Sequence, residues 1–178
     1  VPSSPAAAKG LLKAAIRADN PIVFIENKRL YGLRGPVPDG EILMPLDRAV
    51  VVAPGEQVTL VAYSAMVSEC LLARERLAAE GISCEVIDLV SLRPLDMATV
   101  LASLEKTRKI VLAEEGPVTG GVMAEVAARI AAEGLFSLDA PVVRVGAAEC
   151  PIPSGGALEK MVLPNAGDVL AAVRSLLG

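Results

Sequence analysis

VTLVAYSAMVSECLLARERLAAEGISCEVIDLVSLRPLD, residues Val58 to Asp96, spells out one strand, one helix, a second strand and the start of a second helix. Val58, Leu60, Val61 and Ala62 form a short apolar run with β-branched content, the pattern of a strand buried on both faces inside a parallel sheet. From Ala65 the period changes. Met66, Val67, Cys70, Leu71, Leu77 and Ala78 recur at three- and four-residue steps, while Glu69, Arg74, Glu75, Arg76 and Glu80 take the opposite face, so an amphipathic helix is expected. Gly81 ends it where a left-handed backbone costs least, and Cys84, Val86 and Ile87 open the next strand. A strand, helix, strand unit of this kind takes a right-handed crossover. The fold class that follows is α/β, a three-layer, mostly parallel sheet with helices on both faces.

Working outward, Ala49 to Ala53 and Val58 to Tyr63 flank a Pro54-Gly55 turn, which predicts a hairpin and one antiparallel strand at the sheet edge. Beyond Asp88 a loop from Leu89 to Pro94 leads to Asp96, the expected cap of a helix carrying Val100, Leu101 and Leu104. Ile110 to Ala113 reads as a strand, Val122 to Ala132 as a helix and Val142 to Val145 as a strand. Asn165 and Asp168 start a last helix with Val169, Leu170, Val173 and Leu177 inside. Before this unit, Ser4 and Pro5 start a helix whose inner face is Leu11, Leu12, Ala15 and Ile16, and Ile22 to Ile25 reads as a further strand. Asn27 to Pro45, with Gly32, Gly35, Pro36, Pro38, Gly40 and Pro45, reads as a loop and linker. Residues before about Gly35 are therefore expected to be the tail of another domain.

The composition narrows the function. The 178 residues are 53% hydrophobic with a mean hydropathy of +0.52, enough to bury a sizeable core. No apolar run reaches the roughly 18 residues of a membrane span, and VPSSPAAAKG lacks the pattern of a secretory signal, so a cytoplasmic protein is expected. Lys and Arg number 17 against 21 Asp and Glu, and the basic residues are scattered, which argues against nucleic acid as a partner. There is no histidine, so the usual general base and the commonest metal ligand are missing. Cys70, Cys84 and Cys150 are odd in number, widely spaced and in apolar surroundings, and are expected as reduced core thiols.

Three features carry possible chemistry. EEGPVTGGV, Glu114 to Val122, joins a strand to a helix, where free amides receive phosphate in dinucleotide folds. Its glycines do not match GxGxxG and no lysine follows, so a plain turn is the stronger reading. Glu26, Asp88, Glu114 and Glu115 fall at the carboxyl ends of expected strands, where open α/β sheets place their ligands and where acids also serve as ordinary caps. The helix end around Ala15 to Asn20 leaves carbonyls free for a hard cation.

VPSSPAAAKGLLKAAIRADNPIVFIENKRLYG, the proline-rich linker, VTLVAYSAMVSECL, EGISCEVIDLVSLRPLD, LEKTRKIVLAEEG, LDAPVVRVGAAECPIP and MVLPN occur in an order and spacing that resembles the beta subunit of thiamine-diphosphate-dependent 2-oxo acid dehydrogenases, nearest the pyruvate and acetoin branches. The resemblance covers nearly the whole chain and begins partway through that subunit. It implies that residues 1–35 are the incomplete tail of a pyrimidine-binding domain, 36–45 a linker and 46–178 a transketolase-type C-terminal domain. It also implies thiamine diphosphate and magnesium as cofactors of the intact enzyme. The family's cofactor-contacting glutamate and active-site histidine lie upstream, so this chain is expected to hold no catalytic or cofactor-binding residue and to be inactive alone. Family members bind potassium through carbonyls at the helix end that here is Ala15, Ile16, Ala18 and Asn20; many have Asp at the position of Ala18, a change that a main-chain oxygen survives. The implied partners are an alpha subunit and a second beta subunit in a heterotetramer, and a dihydrolipoyl acyltransferase docking near Leu177 and Gly178. The sequence departs from the family at EEGPVTGGVMAEV, where many members read EEGWPQSGVGAEI. The C-terminal domain of 1-deoxyxylulose-5-phosphate synthase has a similar EEG…GG turn, but PIP at Pro151 to Pro153 and LPN at Leu163 to Asn165 stand against it. A free-standing interaction module is the rival from outside enzymology.

Overall fold

The computed structural model describes residues 1–178, and Val58 to Asp96 folds in the order its periodicity dictates. In chain order the elements are α1 (Pro5–Arg17), a 3-10 turn (Lys28–Gly32), β1 (Val50–Ala53), β2 (Val58–Ala62), α2 (Ala65–Ala78), β3 (Cys84–Asp88), α3 (Met97–Thr107), β4 (Ile110–Pro117), α4 (Val122–Glu133), a second 3-10 turn (Leu135–Ser137), β5 (Val143–Ala147), α5 (Gly156–Val162) and α6 (Ala166–Leu177). The strands form one sheet in the order β1-β3-β2-β4-β5. β2, β3, β4 and β5 are parallel, and β1 runs antiparallel along β3 at the edge.

Alternation along the strands builds two cores, one on each face. Leu60, Val86 and Val111 pack with Met66, Cys70 and Leu77 of α2 and with Val169 and Val173 of α6. Val61, Ile87 and Leu112 pack on the other face with Val100 and Leu104 of α3 and with Val126 and Ile130 of α4. Every residue of β2 is fully buried, because this strand lies inside the sheet and is covered by helices on both sides. Each large aliphatic side chain so buried contributes roughly 1.5–3 kcal/mol against an extended reference chain. The caps are those read from sequence: Ser4 accepts from the Ala7 amide, Asp96 from Thr99, and Asn165 with Asp168 closes a capping box on α6. Gly81 takes φ +79° at the end of α2.

Several expectations need correction. The antiparallel edge strand exists, but β1 does not pair with β2 as a hairpin; β3 lies between them. Ile22 to Ile25 forms no strand, since no strand of the sheet lies beside it, and Ile22, Val23 and Ile25 stay exposed. On α1 the buried residues are Ala7, Gly10 and Leu11, while Leu12 and Ile16 face solvent. Leu176 is buried on α6 where Leu177 was expected. Cys70 and Cys84 are buried thiols, the latter pushed up to about 11 by burial, whereas Cys150 is exposed. Neither α5 nor the turns at Lys28–Gly32 and Leu135–Ser137 were foreseen.

The N-terminal segment packs beside the carboxyl end of β3, where Ser3 donates to Asp88. Ala7 and Leu11 pack with Val90, joined by Phe24, Met44 and Leu46, in a small third cluster over the loop that follows β3.

Candidate functional site at the carboxyl edge of the sheet

Of the four acids singled out by strand-end position, Asp88, Glu114 and Glu115 lie at the carboxyl edge; Glu26 ends no strand, since Ile22 to Ile25 forms none, but it lies near Tyr63 and Glu115, and all four are engaged as acceptors. Asp88 ends β3 and is 2% exposed. Its carboxylate accepts from the Ser3 hydroxyl and from the Val90 amide. Glu115 accepts from the Asn27 side-chain amide and from the Arg29 guanidinium, the latter at 2.8 Å. Glu26 accepts from the Tyr31 hydroxyl at 3.0 Å. Asp88 and Glu115 thus tie the first thirty or so residues to the sheet.

Burial pushes the Asp88 carboxyl above its usual range, and the bonds from Ser3 and Val90 only partly offset it. A folded form that keeps its proton to higher pH than the unfolded chain gains most below the unfolded pKa, about 3.9, and loses that contribution as pH rises through the folded pKa. Asp88→Asn retains an acceptor for Val90 and offers Ser3 a donor. It is expected to be more stable than the parent at pH 7, with the advantage shrinking toward pH 4, as measured by urea unfolding across that range. A variant less stable than the parent at pH 7 would show that the ionised carboxylate's bonds outweigh its burial.

In the Glu114 to Val122 segment a carboxylate of the chain itself lies at the helix N-terminus. Glu114 is 2% exposed, and its carboxylate accepts from the Met123 amide at 3.2 Å and the Tyr63 hydroxyl at 3.2 Å. It therefore fills the place at the N-terminus of α4 that an anion would take. The residue at the cap, Gly121, has no side chain because a Cβ there would overlap that carboxylate. Burial raises the Glu114 pKa, opposed by Tyr63 and the α4 amides.

Ala15, Ile16, Ala18 and Asn20 cluster at the end of α1. Ala18 is in extended backbone and its amide donates to the Ala15 carbonyl at 3.3 Å, so Ala15 keeps one lone pair free and this helix end offers main-chain oxygens of the kind a hard cation takes. No group of three or more His, Cys, Asp or Glu side chains is arranged to hold a metal ion. Leu177 is 38% exposed and Gly178 follows it at the surface, beside the Arg174–Glu80 ion pair that links α6 to the end of α2.

Sequence reasoning missed Ser64, which links β2 to α2 with φ +55° and ψ −134°. A serine before a helix reads as an ordinary cap, and nothing in its neighbours signals the positive φ.

No helix is long and apolar enough to cross a membrane. The chain matches the family model "Transketolase, C-terminal domain" over residues 47–169. It is 45% identical over 175 residues to the pyruvate dehydrogenase E1 component subunit beta-1, mitochondrial, of Arabidopsis thaliana, covering 96% of this chain and 48% of that protein. It is 46% identical over 170 residues to the pyruvate dehydrogenase E1 component subunit beta of Cyanidium caldarium, covering 96% and 52%. Among solved structures it is similar to a split-gene transketolase described as an inactive beta4 tetramer, with a TM-score of 0.68 and 35% identity over 76% of this chain and 44% of that one. The chain spans about half the length of the curated relatives it matches. With the family model covering most of the chain and the sheet order and two-faced core in place beneath it, the chain belongs to the transketolase C-terminal domain family.

Proposed function

We propose that this chain is the C-terminal part of the beta subunit of a 2-oxo acid dehydrogenase decarboxylating component, pyruvate or acetoin type, located in the cytoplasm. The observation that carries the reading is identity of about 45% along 96% of the chain to pyruvate dehydrogenase beta subunits. Its role is to build the heterotetramer with an alpha subunit and a second beta subunit, and to receive the dihydrolipoyl acyltransferase. Thiamine diphosphate, when bound in the whole enzyme, supplies the carbanion chemistry of decarboxylation. In this reading the cofactor and magnesium are held by residues outside this chain, a reading supported by the engagement of its edge acids as structural acceptors. Two further parts of the proposal are a potassium ion on the carbonyls of Ala15, Ile16, Ala18 and Asn20, and a docking contribution from Leu177 and Gly178.

One chimera tests all three. Replacing the C-terminal half of the Arabidopsis beta subunit with this chain is expected to leave assembly with its alpha subunit and decarboxylation of pyruvate intact. A chimera that folds, by circular dichroism, yet does not pair with the alpha subunit would overturn the assignment. Potassium in place of sodium is expected to raise its melting temperature; identical melting in both salts removes the ion. A short tag after Gly178 is expected to weaken capture of the acyltransferase at low salt, less so as salt rises. Unchanged capture at low salt removes the chain end from the interface.

A further inference from the structure

Two neighbouring strands of the sheet send their crossovers in opposite directions. The chain leaves β2 for β3 on one side, and leaves β4 for β5 on the other. Open α/β sheets bind ligands in the crevice that such a reversal opens at the carboxyl ends of the strands. Here an open crevice of about 460 Å³ lies at that point, with Tyr63, Ser64 and Glu115 at the strand ends and Leu92, Ile25 and Lys28 around them.

Two independent features there point to an anion. The first is α2, whose 14 residues begin in the crevice wall with no acidic residue in the first turn and no side-chain cap. The amides of Ala65 and Met66 have no acceptor within the helix, and the aligned peptide dipoles place positive charge at that end. The second is Ser64. It is 6% exposed, and its hydroxyl makes no cap bond. No side-chain polar atom fully sealed from solvent lacks a partner, so this hydroxyl keeps some exposure, and Ser64 lines the crevice. Its positive φ is held by the strand on one side and the helix on the other, and strain of this kind concentrates at binding sites.

The charges around the crevice are unevenly engaged. Glu115 is bound by Arg29 and Asn27, and Glu26 by Tyr31. Lys28 forms no ion pair and overlooks the same space. We propose that this crevice binds a small organic oxyanion, its carboxylate or phosphate on the α2 N-terminus, Ser64 and Lys28 and its apolar body against Ile25 and Leu92. The proposal rests on the sheet's topology and on these side chains, and stands or falls apart from the subunit assignment.

The test is a titration of the isotopically labelled chain, Val1 to Gly178, with sodium butyrate and separately with inorganic phosphate, holding ionic strength constant with sodium chloride. Saturable amide shifts are expected at Ser64 to Val67 and at Lys28, with millimolar affinity or better. Lys28→Gln, at an exposed position, is expected to weaken binding about fivefold without changing the melting temperature, as loss of one exposed charge contact does. Ser64→Ala is expected to weaken it similarly. If neither probe gives saturable shifts at Ser64 to Val67, or if Lys28→Gln binds as tightly as the parent, the crevice is not a site. Butyrate binding without phosphate binding, or the reverse, identifies the head group. Should Ser64→Ala not fold, the Lys28 variant alone decides.

Discussion

Val173→Asp is expected to abolish cooperative folding. Val173 is fully buried on α6, in the core that α6 shares with α2 and the sheet strands. The change removes an apolar side chain worth roughly 1.5–3 kcal/mol and puts a carboxylate where no water reaches, at a cost of several more. Domains of this size hold only about 5–15 kcal/mol of net stability. The protein has two ways out, protonating the new acid or peeling α6 off the sheet, and both surrender most of that margin. Far-UV circular dichroism during thermal melting reads the result, expected as loss of the cooperative transition at neutral pH with partial recovery at acid pH. Val173→Ala, which leaves only a small cavity, is expected to lose about 2 kcal/mol and keep the fold. A Val173→Asp protein melting within a few degrees of its parent would mean that α6 does not seal this core.

What could be read in the sequence follows from the range of the interactions involved. β2, α2 and β3 were legible because burial on two faces makes a strand apolar throughout and burial on one face makes a helix periodic, and both signals are local. The caps at Ser4, Asp96 and Asn165 were legible for the same reason, each acting within three residues. Ile22 to Ile25 has the composition of a strand, but a strand exists only with a ladder partner, and composition does not supply one. α5 escaped because Gly155 and Gly156 open it and Leu158 and Met161 remain exposed, so no buried face marked it.

The candidate site divides the same way. That Asp88, Glu114 and Glu115 stand at the carboxyl edge followed from where the strands end. What they do there did not, because the partners come from far away in sequence. Ser3 reaches Asp88 across 85 positions and Asn27 reaches Glu115 across 88. Capping was among the roles read for these strand-end acids, and Glu114 serves the N-terminus of α4 in that way, but which helix it serves is visible only once Gly121, the cap residue, is seen to leave room for its carboxylate.

The edge strand gives the second large effect. Pro54 and Gly55 read as a hairpin turn, yet the chain uses them to pass over the start of β3, so that β1 and β2 lie on either side of it. At Gly55 the passing backbone comes so near that a Cβ would overlap the main-chain atoms of Cys84 and Glu85. Neither side is free to move. The Glu56 amide donates to the Ser83 hydroxyl at 3.1 Å, the Gln57 amide to the Ser83 carbonyl at 2.8 Å, and the Ser83 amide returns to the Gln57 side chain at 2.7 Å. Arg74 on α2 clamps both layers, donating to the Cys84 and Pro54 carbonyls at 3.0 Å each. Gly55→Ala therefore meets backbone, which cannot swing aside as a side chain would, and is expected to cost about 3 kcal/mol or more, at the upper end of overpacking effects. The loss should appear as a lower urea midpoint and as faster hydrogen exchange at Val50 to Ala53, because β1 is held to the sheet only through β3. Gly32→Ala is the control. Nothing lies within 4 Å of a Cβ at that position, so its effect should be small, by comparison with the several-fold larger loss at Gly55. Equal stability of the two variants would mean that β1 and its crossing loop stand off from β3, and that the edge strand is pinned by the Ser83 and Arg74 bonds alone.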